Sequence, residues 1–357
     1  MEENKQHKTA LPETEPIPSA QAPEALLDIR GLRVEYHTDE DVVYAVNGLD
    51  LTIGKGESLG LVGETGAGKT TTALSVLRLI ADPPGKIMGG EIWFEGEDIL
   101  QAKPARLREI RGSKISVIFQ DPMTSLNPVY SVGDQIAEVI HQHEKCSKEE
   151  GRRKAGDMLE MVGIPRARYD EYPHQFSGGM KQRVVIAMSI ACSPELILAD
   201  EPTTALDVTI QAQVLELMNE LKEKLRTSLL LITHDLGVVA QVCDRVAIMY
   251  AGEIVESGTI AEVFDHPHHP YTIGLFGSIP SLDETAEKLK PIQGQMPDPT
   301  ELPEGCAFAP RCPYATGACR TRKPEMTGVG GTQMVRCLAH QGVFESPELM
   351  EEVRHGR

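Results

Sequence analysis

GETGAGKT, at residues 63–70, has the spacing G-x-x-x-x-G-K-[ST] that is typical of a phosphate-binding loop. The apolar run SLGLV at residues 58–62 precedes it and is typical of a buried strand. Apolar residues recur at helical spacing over residues 71–80. A strand, a glycine-rich loop and a helix in this order predict a phosphate site. The alternative is a glycine-rich turn that carries a surface lysine.

The residue types in this stretch, which we call the phosphate loop, suit the chemistry of phosphate binding. Gly63, Gly66 and Gly68 allow backbone N–H groups to turn inward around phosphate oxygens, and the helix start adds the positive end of its dipole. Lys69 is expected to reach the β- and γ-phosphates, and the Thr70 hydroxyl is expected to bind Mg²⁺. The residues predicted to contact the phosphates are Gly63, Glu64, Thr65, Gly66, Ala67, Gly68, Lys69, Thr70 and Thr71.

Composition limits the class of protein. The chain has 357 residues, which allows two or three domains, and aromatic residues make up 4%, which suits an α/β fold. Its 35 Lys and Arg against 53 Asp and Glu give a net charge of −18, which argues against nucleic acid as a partner. The sequence shows neither a signal-peptide pattern nor an apolar run of the roughly 18 residues that a spanning helix needs. We therefore expect a cytoplasmic protein whose seven cysteines are thiols or metal ligands.

The pattern along the chain predicts an α/β fold with a parallel sheet and several distinct segments. Residues 1–24 are rich in Pro and Glu and are predicted to be a disordered tail. Residues 25–264 are predicted to form the core, with antiparallel strands ahead of the phosphate loop and a helical insert at about residues 121–191. A small extension with four cysteines is expected at residues 265–341, followed by a tail at 342–357.

Polar side chains follow three further predicted strands. Gln120, the pair Asp200 and Glu201, and His234 each come directly after an apolar run. Because ligands collect at the carboxyl ends of parallel strands, we expect all of them at one site with Lys69. Asp200 would bind Mg²⁺, and Glu201 would polarise the water that attacks the γ-phosphate. His234 and Gln120 would lie within reach of the same phosphate.

Residues 26–264 resemble the ATP-binding-cassette (ABC) ATPases. SGG at residues 177–179 resembles the family's signature motif, with Phe176 in place of the usual Leu and Met180 in place of Gln. The resemblance implies that this motif contacts ATP held by an opposite subunit, in a head-to-tail dimer. TTALD at residues 203–207 resembles the loop that lies between the subunits. The residues that the resemblance assigns to the second ATP site are Ser177, Gly178, Gly179 and Asp207.

Two other family positions complete the predicted site. Gln120 matches the family's glutamine that senses the membrane partner, and it joins Thr70 and Asp200 as an expected Mg²⁺ ligand. Tyr36 is predicted to stack on the adenine ring, with an ordinary strand aromatic as the alternative. The resemblance implies ATP and Mg²⁺ as cofactors.

The extension narrows the resemblance to the ATPases of oligopeptide and dipeptide importers, through HPYT at 269–272, PIQG at 291–294, PEGCAF at 303–308 and RCP at 311–313. The resemblance implies an ATP-hydrolysing translocase subunit that is peripheral at the cytoplasmic face of the inner membrane. Its implied partners are two membrane permease subunits, a second ATPase that is a different chain or a copy, and indirectly an extracytoplasmic binding protein. Nickel or another small solute is an alternative cargo.

Two other classes of protein fit the sequence less well than a peptide-importer ATPase does. A soluble ABC ATPase acting on nucleic acid would carry basic patches, two cassettes or a long coiled coil, whereas this chain has one cassette and a net charge of −18. A phosphate-loop kinase or GTPase would lack the signature motif at residues 177–179.

Four cysteines of the extension have the spacing C-x5-C-x6-C-x17-C, without the C-x2-C pairs that are usual in zinc ribbons. The segment holds few large apolar residues, so a metal would supply folding energy. Four thiolates suit a structural zinc ion or a four-iron cluster, and the resemblance favours [4Fe–4S]. Zinc and buried reduced thiols are the alternatives. The predicted ligands are Cys306, Cys312, Cys319 and Cys337, whereas Cys146, Cys192 and Cys243 are expected only to pack.

Overall fold

The computed structural model describes residues 25–204, 206–278 and 292–343. The predicted tail at 1–24, nearly all of the tail predicted at 342–357, and Pro291 of the PIQG stretch lie outside the described residues. Among the helices of the described part, none is long and apolar enough to cross a membrane.

The described residues form two sheets and helices that cover them. The strands are β1 (Ala25–His37), β2 (Val42–Gly54), β3 (Ser58–Val62), β4 (Gly85–Phe94), β5 (Glu97–Asp98), β6 (Ile115–Ile118), β7 (Leu196–Asp200), β8 (Ser228–Thr233), β9 (Arg245–Tyr250), β10 (Glu253–Thr259), β11 (Thr327–Gly330) and β12 (Gln333–Val335). The helices are α1 (Lys69–Val76), α2 (Pro104–Ile110), α3 (Pro122–Ser125), α4 (Val132–His143), α5 (Lys148–Met161), α6 (Gly178–Ile190), α7 (Val208–Leu225), α8 (Leu236–Val242), α9 (Ile260–Asp265), α10 (Pro270–Phe276) and α11 (Gly317–Thr321).

The larger sheet has the strand order β11-β12-β10-β9-β3-β8-β7-β6. Its strands β9, β3, β8, β7 and β6 pair in parallel, as the sequence predicts. Every residue of β3, β7 and β8 is buried. Continuous apolar runs of this kind are expected where helices cover both faces of a parallel sheet. The parallel strands bring their carboxyl ends, and the polar residues that follow them, to one edge.

The smaller sheet is antiparallel and has the order β2-β1-β4-β5. Its inward side chains, such as Ile29, Val34 and Leu49, are fully buried and pack with α1 and β3 in one apolar cluster. The predicted antiparallel strands ahead of the phosphate loop are therefore present, and β4 from beyond the loop joins them.

Helix α1 is shorter than the helical spacing over residues 71–80 suggests, because it ends at Val76. Arg78 has a left-handed φ of 50°, which an α-helix cannot contain. The Arg111 guanidinium donates hydrogen bonds to the carbonyl oxygens of Leu77, at 2.7 Å, and Arg78, at 2.9 Å. A distant side chain thus satisfies carbonyl groups at the end of the helix.

The helices α3 to α6 fall within the predicted insert at residues 121–191. Ser131 and Ser147 begin α4 and α5 by accepting hydrogen bonds from the backbone N–H groups of Asp134 and Glu150. The apolar faces of these helices meet in a shared core in which Ile136, among others, is fully buried. The boundaries of the insert remain a prediction.

The C-terminal extension joins the larger sheet through β12, which pairs with β10. The buried carboxylate of Glu256 on β10 accepts hydrogen bonds from the backbone N–H groups of His268 and His269 and from the side chain of Gln333. Burial raises the pKa of this carboxyl, although these hydrogen bonds act in the opposite direction. The predicted boundary near residue 264 is thus crossed by a sheet and by buried polar contacts.

Candidate nucleotide site

The phosphate loop connects β3 to α1. At two of its positions only glycine fits, because a side chain would collide with a backbone carbonyl group. A Cβ atom at Gly63 would come within 2.2 Å of the Met249 carbonyl oxygen, and one at Gly68 within 2.3 Å of the Ala45 carbonyl oxygen. Gly68 also has a φ of 102°, which side chains with a Cβ rarely adopt. The loop therefore requires glycine at both positions before any phosphate is considered.

Lys69 is buried at the centre of the loop. Its Nζ atom donates hydrogen bonds to the carbonyl oxygens of Gly63, at 2.7 Å, and Glu64, at 3.0 Å. Burial lowers the pKa of the Lys69 amine, and the nearby carboxylates of Glu201, Asp200 and Glu64 act in the opposite direction. The ammonium group thus sits among loop carbonyls and carboxylates, where it can bind a polyanion.

Asp200 ends β7 and is 6% exposed. Within the described residues its Oδ1 atom is buried and has no hydrogen-bond partner, although Thr70 supplies a side-chain hydrogen bond to the carboxylate. Burial raises the pKa of this carboxyl, while that hydrogen bond lowers it. An orphaned carboxylate oxygen beside a threonine hydroxyl is a fitting donor set for a hard cation such as Mg²⁺.

Glu201 is the meeting point of the residues predicted from the strand ends. Gln120 Nε2 and Thr204 Oγ1 each donate a hydrogen bond of 2.9 Å to Glu201 Oε2, and His234 Nδ1 lies 3.2 Å from Oε1. Burial alone would raise the pKa of the Glu201 carboxyl, but the hydrogen bonds from His234 and Thr204 outweigh it and lower the pKa. Glu201 is therefore an ionised carboxylate that is 13% exposed.

The backbone of Glu201 is held in an unusual conformation. Its φ is 47°, in the left-handed region, and its N–H group donates a 2.8 Å hydrogen bond to the Ile232 carbonyl oxygen of β8. A glutamate in this region stores about 1–3 kcal/mol of strain unless its surroundings compensate. The bond to β8 fixes the turn that aims the carboxylate at Gln120 and His234.

Tyr36 lies beside the start of α1, with its hydroxyl 3.3 Å from the Thr71 hydroxyl. Tyr36 is only partly buried. This contact brings the predicted adenine-stacking residue next to the predicted phosphate-binding residues. The stacking itself remains a prediction.

The predicted signature motif lies at the N-terminus of α6, where Ser177 Oγ accepts a 3.4 Å hydrogen bond from the Met180 N–H group. Asp207 Oδ1 begins α7 in the same way by accepting a hydrogen bond from the Ile210 N–H group. A Cβ atom at Gly179 would come within 2.3 Å of Ile210 Cγ2. The signature motif and the start of α7 are therefore packed directly against each other.

The four predicted metal-binding cysteines are grouped in the extension, where the Cys306 N–H group donates a hydrogen bond to the Cys319 carbonyl oxygen. Burial raises the pKa of the Cys306 thiol to about 11 and those of Cys312 and Cys337 to about 12, and neighbouring cysteines add to the effect. Across the ranges described, no group of three or more His, Cys, Asp or Glu side chains could hold a metal ion. The described side chains therefore give no support to the predicted [4Fe–4S] cluster.

The other three cysteines lie in the cassette, as packing residues would. Cys243 is buried, and burial raises the pKa of its thiol to about 12. Cys192 lies 3.8 Å from the Val139 carbonyl oxygen, and Cys146 is partly buried.

Sequence reasoning missed three residues that contact the predicted site. Thr204 lies in the TTALD stretch, and its hydroxyl donates a hydrogen bond to the Glu201 carboxylate. Tyr271 and Arg311 belong to the extension, yet the Tyr271 hydroxyl accepts a 3.0 Å hydrogen bond from the Glu64 N–H group and Arg311 pairs with the Glu64 carboxylate. Position in a motif could have revealed Thr204, whereas nothing local to Arg311 points to a loop so distant in sequence.

Comparison with known proteins gives matches to both parts of the chain. A family model described as ABC transporter matches residues 46–204, and one described as oligopeptide/dipeptide transporter, C-terminal region, matches residues 255–319. The oligopeptide transport ATP-binding protein AppD of Bacillus subtilis is 49% identical over 318 residues, covering 88% of this chain and 97% of that protein. OppD of the same organism, also an oligopeptide transport ATP-binding protein, is 51% identical over 332 residues, covering 91% and 93%.

A third relative and a solved structure agree with these matches. The dipeptide transport ATP-binding protein DppD of Bacillus subtilis is 48% identical over 316 residues, covering 88% of this chain and 94% of that protein. A dimeric ATP-binding cassette in a post-hydrolysis state, bound to ADP and Pi, superposes with a TM-score of 0.59 at 28% identity, covering 66% of this chain and 98% of its own. The predicted α/β cassette fold is confirmed. The chain therefore belongs to the ABC transporter family as an ATP-hydrolysing, ATP-binding protein of the kind that carries the oligopeptide/dipeptide transporter C-terminal region.

Proposed function

We propose that this chain is the ATP-binding subunit of a peptide importer and hydrolyses ATP to drive the uptake of dipeptides or oligopeptides. One observation carries the proposal. This chain aligns with nearly the whole length of relatives that are named for oligopeptide and dipeptide transport, and the match includes the C-terminal extension. The resemblance to the cassette alone would leave the cargo open.

The proposed chemistry assigns each residue a role at the edge of the larger sheet. Residues 63–71 bind the phosphates, with Lys69 as the cation, and Tyr36 stacks on the adenine. Glu201, kept ionised by its hydrogen bonds, takes the proton of the attacking water. His234 and Gln120 orient the Glu201 carboxylate, since both contact it. The hydrogen bonds from Gln120 and His234 to the Glu201 carboxylate support this assignment of roles.

Mg²⁺ would be held by Thr70 and Asp200, with Gln120 as a further proposed ligand, and would neutralise charge that develops on the phosphates. The buried, unpartnered Asp200 oxygen supports this set. Thr70 also keeps the Asp200 carboxylate oriented through its hydrogen bond. The chain's own residues thus form the cation site before the nucleotide arrives.

The proposed assembly is a head-to-tail pair of ATPases, either two copies or two different chains, in which Ser177, Gly178, Gly179 and Asp207 face the partner's ATP. The start of α6 supports this, since the positive end of a helix dipole favours an anion. Two permease subunits would anchor the pair at the cytoplasmic face of the inner membrane. An extracytoplasmic binding protein would deliver the peptide, and nucleic acid would have no part.

The cysteine group is proposed as a [4Fe–4S] site, with zinc as the alternative, inside an extension that spans residues 265–341. The spacing of the four cysteines and the resemblance support it, although the described side chains form no metal-binding group. Protein purified without oxygen should be brown and lose its colour in Cys312→Ser. Colourless protein that contains stoichiometric zinc would establish the alternative, and colourless metal-free protein would leave buried thiols.

Uptake by the host cell tests the proposed function. Cells without this gene should lose uptake of a labelled dipeptide or oligopeptide, and the wild-type gene should restore it whereas Glu201→Gln should not. Nickel uptake, measured in the same cells, should be unchanged. Loss of nickel uptake with normal peptide uptake would contradict the proposal.

A further inference from the structure

The C-terminal extension makes a charged contact with the phosphate loop. Arg311 Nη1 donates hydrogen bonds of 3.1 and 3.0 Å to the two carboxylate oxygens of Glu64, the second residue of the loop. The Arg311 side chain is 6% exposed and that of Glu64 is 31% exposed. Since water screens a pair of this kind only in part, each charge matters to the other.

Arg311 is fixed in place by the rest of the extension. Its Nε atom donates to the Gln293 carbonyl oxygen at 3.1 Å, and its Nη1 lies 3.4 Å from the Tyr250 hydroxyl. Its backbone N–H group bonds to the carbonyl oxygen of Phe308, whose ring packs on Tyr250 and Tyr271. The guanidinium group therefore approaches the loop from a rigid support.

The same part of the extension makes two further contacts, one with the antiparallel sheet and one with the phosphate loop. The Pro299 carbonyl oxygen accepts a 2.9 Å hydrogen bond from the Tyr44 N–H group of β2. Met296 Cε lies within 3.7 Å of the position that a Cβ atom would take at Gly66. Residues 293–311 thus contact both the phosphate loop and the antiparallel sheet beside it.

The charges around the phosphate loop explain what the Arg311–Glu64 contact can do. Three carboxylates, those of Glu201, Asp200 and Glu64, act on Lys69, and ATP brings further negative charge to the same place. Glu64 is part of the loop, so its carboxylate would repel the phosphates unless a cation balanced it. Arg311 is that cation. We propose that Arg311 is a positioning residue for ATP binding, which acts by neutralising Glu64 and holding the phosphate loop in its binding conformation.

The proposal is tested by binding of a fluorescent ATP analogue to the full chain. Arg311→Ala should weaken binding about tenfold, since a partly buried carboxylate loses its charged hydrogen-bond donor. Glu64→Gln in the same chain should restore affinity to within about twofold of wild type, because the repelling charge has gone. Arg311→Lys should retain part of the affinity, since a lysine is a cation without the guanidinium geometry. Arg322→Ala, at an exposed arginine of the same extension, is the matched control.

A second measurement separates positioning from a loss of folding. In the assembled transporter Arg311→Ala should raise KM for ATP while kcat at saturating ATP changes by less than about twofold, because Glu201 and His234 are untouched. Equal loss of affinity with and without Glu64→Gln would overturn the proposal, and so would unchanged affinity in Arg311→Ala. If Arg311→Ala does not fold, the Arg311→Lys variant with and without Glu64→Gln answers the same question. This inference rests on the proposed ATP site, and failure of wild type and Arg322→Ala to bind ATP would contradict that site instead.

Discussion

The phosphate loop and the C-terminal extension lie in contact, but the sequence signals that reveal them differ. The loop is recognisable locally, since its glycines, Lys69 and Thr70 fall within eight consecutive residues that join a strand to a helix. The extension is determined by distant partners: β12 pairs with β10, Phe308 packs on Tyr250, and Arg311 binds Glu64. A site can therefore be recognised from one short motif and still depend on residues that no motif contains.

The largest expected effect lies beside the phosphate loop, at Glu201, which follows β7. Glu201→Gln removes the carboxylate that His234, Gln120 and Thr204 surround, so ATP hydrolysis in the assembled transporter should fall by about 10²- to 10⁴-fold. Binding of ATP should persist, because Lys69 and the loop are intact. The control is Glu216→Gln on the exposed face of α7. Turnover at the wild-type rate would show that another group activates the water.

Lys69→Ala tests the loop itself. The buried ammonium group is the proposed charge partner of the phosphates, so its loss should weaken ATP binding about 100-fold. Equilibrium binding of a fluorescent ATP analogue measures the change, with the exposed Lys224→Ala as control. Unchanged affinity would mean that the backbone of the loop binds the phosphates without help from the side chain.

Phe308→Ala tests the distant packing of the extension. The ring is 2% exposed and meets Tyr250 edge to face at a centroid distance of 5.2 Å, so its removal should lower the free energy of unfolding by about 3–5 kcal/mol. Urea unfolding measures the change, and Phe308→Leu, which keeps more of the volume, should lose less. A negligible loss in Phe308→Ala would show that the extension is independent of the cassette.

The smallest expected effect is a pH dependence where the cassette meets the extension. Burial by itself raises the pKa of the Glu262 carboxyl, but hydrogen bonds from Thr332 and Thr259 outweigh it and lower the pKa from 4.5 to about 2. The stability that this provides is complete above about pH 4.5 and is lost as the pH falls towards 2. Urea midpoints at about pH 6 should therefore favour wild type over Glu262→Gln more than those at about pH 3. Glu304→Gln, at an exposed position of the extension, is the matched control.

The comparison also explains which parts of the structure the sequence could predict. Gln120, Glu201 and His234 each follow an apolar run, and parallel pairing is enough to bring them to one edge, which is where the structure has them. The early end of α1 was not predicted, because it depends on Arg111 from a later helix boundary.

The extension illustrates the opposite case. Its composition, rich in Pro and His with four cysteines, predicts a small separate extension, whereas β12 continues the larger sheet. Pairing between Glu256 and Val335 leaves no periodic signal in either segment, because the register depends on the folded positions of both. The cysteine spacing suggested a metal centre, but spacing does not reveal whether the thiols point toward one another. Arg311 was unpredictable for the same reason, since its partner is Glu64.

The pairing of β12 with β10 also has a consequence for synthesis on the ribosome. When Glu256 leaves the exit tunnel, its strand partner Val335 has not yet been made. One edge of the growing sheet therefore has unpaired backbone groups. The side chain of Val255, which is buried in the finished protein, is exposed at this stage. A message that stops short of codon 333 would therefore yield a chain with a complete phosphate loop and an open, partly apolar sheet edge. Such a chain would be a substrate for chaperones and proteases before it could take part in transport.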